Sequence, residues 1–413
     1  MKRITTILLC IAVALAVLGL PAAVGAKVTG KLEVVHWWTA GGEGEALDAI
    51  AALFEANYPG VELIGASVAG GAGTVAKGVL QTRILAGNPP DSFQVHAGME
   101  VRSHILAGTL EPITDLLDPA VFPKAVLDLC GYEGEVYCVP INVHRPNTLW
   151  VNKEVVDELG IAIPALSDFD VFVAACEKAK AAGYVPLALG EAWTVNHLFG
   201  SVLLGALGPD GYRGLWDGSV PFTDPGVTLA LERMKTLVGY ANEDHAALSW
   251  DAAAQMLVDG KAVFNIMGDW AEGYFKAKGW EPGVDFVWAS APGTRGSFIL
   301  CIDAFGVPKD AANKEAARAW VKTIASIEAQ DIFNPVKGSV PARSGADKSL
   351  YDVYLIWSMD DFATSELVPS LAHGGVLEAL AGDIGDIINI FVTKLDVAGA
   401  QRSLNQAAID AGL

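Results

Sequence analysis

Apolar and polar positions divide the first hundred residues into a repeating strand–helix pattern. Lys31 to Trp38 alternates into an apolar run that predicts a strand, and Gly44 to Asn57 carries the spacing of an amphipathic helix. That helix should stop at Tyr58-Pro59-Gly60, where proline and glycine disfavour another turn. Val61 to Val68 predicts a second strand, followed by the glycine-rich Ala69 to Gly73 and a helix from Thr74. Ala86-Gly87-Asn88 ends this helix and Pro89-Pro90 prevents its return, so Ser92 to Val95 predicts a third strand. Strand, helix, strand, helix, strand is the order of a doubly wound α/β sheet. Gln94 and His96 fall at the end of the third strand, where such sheets present polar groups to a ligand.

The same alternation continues downstream. Phe169 to Ala182 predicts a helix, Trp193 to Gly260 is rich in helical spacing, and Phe298 to Ile302 is an apolar strand interrupted by Asp303. At the N-terminus, Lys2 and Arg3 precede the uncharged Ile7 to Leu20, then Pro21 and small residues up to Ala26. This is the layout of a secretory signal peptide cleaved near Ala26, and it predicts a periplasmic mature protein. Leu9 before Cys10 is too bulky for a lipid-attachment site. Loss of Lys2 and Arg3 reduces 28 basic residues to 26 against 48 acidic ones, a net charge of about −22. That excess argues against nucleic acid or an anionic membrane as a partner.

Four cysteines follow the leader. Cys130 and Cys138 flank a predicted hairpin with its turn at Glu133-Gly134. Export would permit a disulfide between them, but a two-residue turn would set Cys130 opposite Tyr137 instead, and both arrangements stay open. Cys176 and Cys301 read as buried thiols. No Cys-x-x-Cys or histidine-rich cluster suggests a metal, and glycines 70, 71 and 73 lack the Lys-Ser/Thr of a phosphate loop. No cofactor is expected.

The stretch "LAGNPPDSFQVHAG", residues 85–98, resembles a signature of the solute-binding proteins that capture sugars for bacterial ABC importers. "WWTAGGEG", "NVHRPN", "FNIMGDW", "DAFGVPK", "FNPVKGS" and "SLAHGG" extend the resemblance to a narrower branch that binds glucose or galactose. The resemblance implies a two-lobe periplasmic-binding-protein fold, each lobe an α/β sheet flanked by helices, with a hinge and a ligand cleft between lobes. The N-terminal lobe would hold residues 27–141 and 293–343, and the C-terminal lobe residues 142–292 and 344–413. It further implies a monomer that binds a monosaccharide and delivers it to membrane permease subunits without altering it.

A hexose offers C–H faces to aromatic planes and hydroxyls to rigid polar groups. With eleven tryptophans in the chain, core packing is the default for each. Trp37, Trp38 and Trp270 stand apart as strand-end residues and Trp250 as a helix start, whereas Trp150, Trp288, Trp320 and Trp357 read as core. By the resemblance, Glu43, Gln94, His96, Asp303, Lys337 and His373 supply polar contacts, and Trp37, Trp38 and Trp250 supply stacking planes. Read from the residues alone, Asp303 in an apolar run demands donors, Lys337 suits a surface turn as well as a ligand contact, and His373 an interior histidine as well as a ligand contact. His144, Arg145 and Asn147 would line the cleft or pin the hinge, with Glu191 and Trp193 as weaker candidates. The contrasting class is a secreted glycoside hydrolase using Glu43, Asp269 or Asp303, but nothing in the sequence spaces two carboxylates about one bond.

Overall fold

The computed structural model describes residues 28–413. The signal-peptide expectation, with cleavage near Ala26, lies outside the described residues. Among these residues no helix is long and apolar enough to cross a membrane.

Two sheets organise the chain into two lobes. The first runs Val61–Ser67, Gly30–His36, Ser92–His96, Asp303–Gly306, Cys138–Pro140. Its first three strands are parallel, as the strand–helix order requires, and Asp303–Gly306 enters antiparallel between Ser92–His96 and Cys138–Pro140. The second sheet runs Phe286–Ser290, Thr148–Asn152, Ala262–Met267, Val185–Ala188. Each sheet has its own apolar core. Leu32, Ile50, Phe93, Phe305, Trp320 and Phe333 belong to one, and Val151, Phe172, Phe199, Phe264, Leu371 and Ile388 to the other. A smaller cluster around Trp150, Phe275, Phe286 and Tyr354 lies beside the second sheet.

The lobes are joined where three stretches run side by side. Asn142–Val143 pairs with Val340–Pro341, and His144 bridges Cys301, its N–H donating to the Cys301 carbonyl at 2.7 Å. Asn147 pins this junction with its side chain, accepting from Ile299 N at 3.0 Å and donating to Ser297 O at 2.9 Å. Arg145, fully buried, pairs with Asp361 at 2.8 Å and lies 4.7 Å from the Trp357 ring. Asn147 and Arg145 therefore brace the crossing.

Several local expectations change. The first helix begins at Gly42, which brings Glu43 into its first turn. Trp270 does not end a strand: the strand stops at Met267 and Trp270 opens the helix Trp270–Ala277. Lys337 is not in an exposed turn but closes the helix Ile327–Lys337 and is only 2% exposed. Trp288 and Trp357 are half-buried rather than core.

In the hairpin, Glu133 and Gly134 both have positive φ, which gives the tight two-residue turn. Gly131 then faces Val136 and the Tyr137 N–H donates to the Cys130 carbonyl at 3.0 Å. Cys130 therefore faces Tyr137, and both cysteines are buried free thiols.

Candidate functional site

Sheet register builds the floor of the site. Asp303 stands directly opposite His96, and Phe305 opposite Gln94. Opposed residues share a sheet face, so Gln94, His96 and Asp303 converge at the C-terminal end of the Ser92–His96 strand. Burying the Asp303 carboxylate is costly unless donors surround it. Gln94 Nε2 donates to Oδ1 at 3.1 Å and Asn142 Nδ2 to Oδ2 at 2.9 Å, while the Asp303 N–H donates to Asn142 Oδ1 at 2.9 Å. His144 Nε2 lies 3.2 Å from Oδ2. Burial alone would raise the Asp303 pKa, but the hydrogen bond and charge of His144, with His96 and Lys337, hold it well below the usual carboxylate range. The group is therefore an ionised acceptor at neutral pH.

A second carboxylate orients His144. Burial works against its charged form, but Asp269, hydrogen-bonded to Nδ1, raises its pKa, and Asp269 also accepts the Arg145 backbone N–H at 2.9 Å. His96 is fixed in the same manner. Its Nδ1 lies 2.7 Å from Glu100 Oε2, which also meets Lys77 Nζ at 2.7 Å. Burial would raise the Glu100 pKa, yet Lys77 and His96 bring it down to about 2. Rigid, pre-ordered polar groups result, and they need little rearrangement on binding.

Above this floor a cleft of about 610 Å³ opens between the lobes. Nine of the ten ligand-binding residues expected from the sequence line it: Trp37, Trp38, Glu43, His96, Trp250, Trp270, Asp303, Lys337 and His373, whereas Arg145, Asn147 and Asp269 do not. Gln94 stands behind the wall, where it accepts the Trp37 N–H at 3.2 Å while donating to Asp303. Lys337 Nζ donates to Glu43 Oε1 at 2.8 Å and lies 5.8 Å from the rings of both Trp38 and Trp270. Trp38 is wedged against Phe305 and Phe333 and is 2% exposed, so Trp37 offers more of its ring to the cleft. His373 bonds Ser370 Oγ through Nδ1 at 2.8 Å, and its buried Nε2 has no protein partner. Burial, with the neighbouring His197 and His96, keeps its pKa well below the ordinary value.

The weaker candidates Glu191 and Trp193 also line the cleft, as does His144. Residues the sequence reading passed over join them: Tyr274, Asp251, Lys278 and the loop Ala69–Ala72. A β-carbon on Gly71 would meet Trp193 Nε1 at 2.4 Å, so this glycine lets the loop of one lobe approach the tryptophan of the other. Gly98 and Gly374 make a comparable approach, with the Met99 N–H donating to the Gly374 carbonyl at 2.7 Å.

A family model described as bacterial extracellular solute-binding protein matches residues 38–331. An uncharacterized ABC transporter extracellular-binding protein of Pyrococcus horikoshii is 41% identical over 385 residues, covering 91% of this chain and 87% of that one. A probable sugar-binding periplasmic protein of Mesorhizobium japonicum is 34% identical over 376 residues, covering 88% and 89%. Among solved structures, the bacterial solute receptor AcbH, described with an exclusive preference for β-D-galactopyranose, superposes with a TM-score of 0.81. It is 21% identical, and the match covers 93% of this chain and 99% of that one, a likeness of fold.

Proposed function

The chain belongs to the bacterial extracellular solute-binding proteins, and we propose that it is the carbohydrate receptor of an ABC importer, holding a neutral hexose, glucose or galactose, in its inter-lobe cleft. The carrying observation is Asp303, a buried carboxylate hydrogen-bonded by Gln94 and Asn142, kept ionised by His144, His96 and Lys337, and facing a cleft walled by tryptophan. A carboxylate in that setting accepts two adjacent sugar hydroxyls through charge-assisted hydrogen bonds. His96, His373, Glu43 and Lys337 serve further hydroxyls, Trp37 and Trp250 stack on the sugar faces, and Trp270 closes the side. The receptor acts as a periplasmic monomer after removal of its leader and hands the sugar to membrane permease subunits. Residues 27–141 with 293–343 and residues 142–292 with 344–413 form the two lobes.

The hydrolase alternative fares worse on the chemistry. A glycosidase acid needs a carboxyl with a raised pKa beside the bond it protonates. Asp303 is shifted the other way, and Glu272, whose burial raises its pKa, does not line the cleft. The test is a thermal-shift and calorimetric panel of hexoses, pentoses, disaccharides, sugar acids and polyamines, with aryl glycosides as hydrolysis reporters. Glucose or galactose should raise the melting temperature most, by mass action on the folded state. A panel led by a pentose or disaccharide would overturn the hexose assignment, and aryl glycoside turnover would overturn the receptor.

A further inference from the structure

A second pocket, of about 440 Å³ and open to solvent along the exposed Gly65, Ser67 and Asp48, shares Trp38 with the cleft. Its floor is the edge of the first sheet, where Val34 faces Gly65 and His36 faces Ser67. Its roof is one face of the helix Gly42–Asn57, with Gly44, Leu47, Asp48 and Ala51 at helical spacing. The space exists because floor and roof both carry glycine where a side chain would fill it. A β-carbon on Gly65 or on Gly44 would meet nothing within 4 Å, and neither glycine has a positive φ that would require it. Trp38 and Trp320 close the inner end.

The lining is amphipathic. Leu47, Leu63 and Val34 make an apolar wall, and His36 lies at its polar end. His36 is 6% exposed, its Nδ1 has no partner, and its ring makes no hydrogen bond among the described residues. Burial lowers its pKa to about 4, so the imidazole is neutral at pH 7 and has a lone pair to offer. Asp48, whose charge acts on His36, is the only carboxylate in the lining among the described residues, and no lysine or arginine of these joins it. A neutral imidazole and an unneutralised carboxylate at the end of an apolar slot complement a donor-rich cation on an apolar body.

We propose that this cavity is a second ligand site, taking a small organic ammonium ion whose apolar body packs between Leu47 and Leu63 and whose N–H groups face His36 and Asp48. It stands apart from the reading of the cleft, so either can fail alone. The probe is phenethylammonium, titrated calorimetrically at pH 7 with the uncharged 2-phenylethanol as its isostere. Phenethylammonium should bind with a Kd on the order of 1 mM, as expected of so small a ligand. The alcohol and the Asp48→Asn variant should each weaken binding about two- to fivefold, the scale of an exposed charge pair. Gly65→Val should abolish binding and hold or raise the melting temperature, since valine favours a strand more than glycine does. Should that variant not fold, Ala51→Leu fills the same slot from the helix side. No binding to the wild-type protein, or binding that survives a folded cavity-filling variant, overturns the proposal.

Discussion

Asp303 is where the site's chemistry concentrates, and its neighbours make its role testable. Each oxygen already holds a side-chain donor, so the carboxylate is fixed before any sugar arrives. Asp303→Asn retains the shape but removes the charge and turns one acceptor into a donor, which then faces the N–H of Gln94 or Asn142. Loss of charge-assisted bonds at about 1.5–3 kcal/mol each predicts a tenfold to hundredfold fall in affinity, read by calorimetric titration. Apo stability should fall as well, because one of Gln94 and Asn142 loses its acceptor. A variant destabilised without sugar yet of unchanged affinity would remove Asp303 from the site. A second residue-scale prediction concerns His197, packed 5.3 Å from His373 and 5.6 Å from Trp270, ring to ring. Burial lowers its pKa from 6.5 to about 4. Between those values the unfolded chain binds the extra proton, so this stability is complete above about pH 6.5 and is lost as pH falls toward 4. His197→Asn should flatten the stability–pH curve across that window, by on the order of 3 kcal/mol at most. Urea melts at pH 4, 5, 6 and 7 measure it, and an unchanged slope would place the loss elsewhere.

At the scale of elements, the early strands and helices were legible because period and punctuation agree there. Ser92–His96 follows from its proline and glycine boundaries, and of the nine residues named by the sugar-receptor resemblance eight line one cleft, with Gln94 directly behind its wall. For Lys337 the residues alone leave a surface turn and a cleft contact equally open, because nothing local in an isolated lysine beside Gly-Ser shows that Glu43 and two indoles bury it. Trp270 was misplaced because an apolar run does not reveal where a strand yields to a helix. Tyr274 and the Ala69–Ala72 loop were missed for another reason: their place in the cleft depends on how the lobes meet, which leaves no local pattern. Gly71 shows this dependence and carries the third prediction. Its φ is ordinary and the three atoms nearest to a β-carbon there all belong to Trp193, in the helix Ala192–Asp217 of the other lobe. Gly71→Val should therefore leave sugar-free stability nearly unchanged and weaken sugar binding about tenfold, the scale of a modest overpacking cost. Equal affinity would show that the loop does not meet Trp193 in the sugar-bound molecule.

For the whole molecule, the arrangement of cores decides what can move. Each lobe is packed around its own sheet, and the crossing stretches bond to one another through Asn142, His144 and Asn147. Across the cleft the lobes meet at close approaches and single bonds: Gly71 on Trp193, Gly41 on Tyr274, Gly273 on Val336 and Lys337, Met99 on Gly374, and Lys276 Nζ donating to the Pro335 carbonyl. Such contacts are weak beside two apolar cores, and relative motion is the default for lobes joined this way. Sugar wedged between Trp37 and Trp250 would add contacts available only when the lobes are together, and binding then shifts the population toward the closed form. Small-angle scattering should accordingly give a smaller radius of gyration with saturating hexose than without it. Gly71→Val, which obstructs the approach but not the floor, should show a larger radius at the same sugar concentration. Superimposable wild-type curves with and without sugar, under conditions where calorimetry records binding, would mean that the cleft is rigid and that the crossing is a brace and not a hinge.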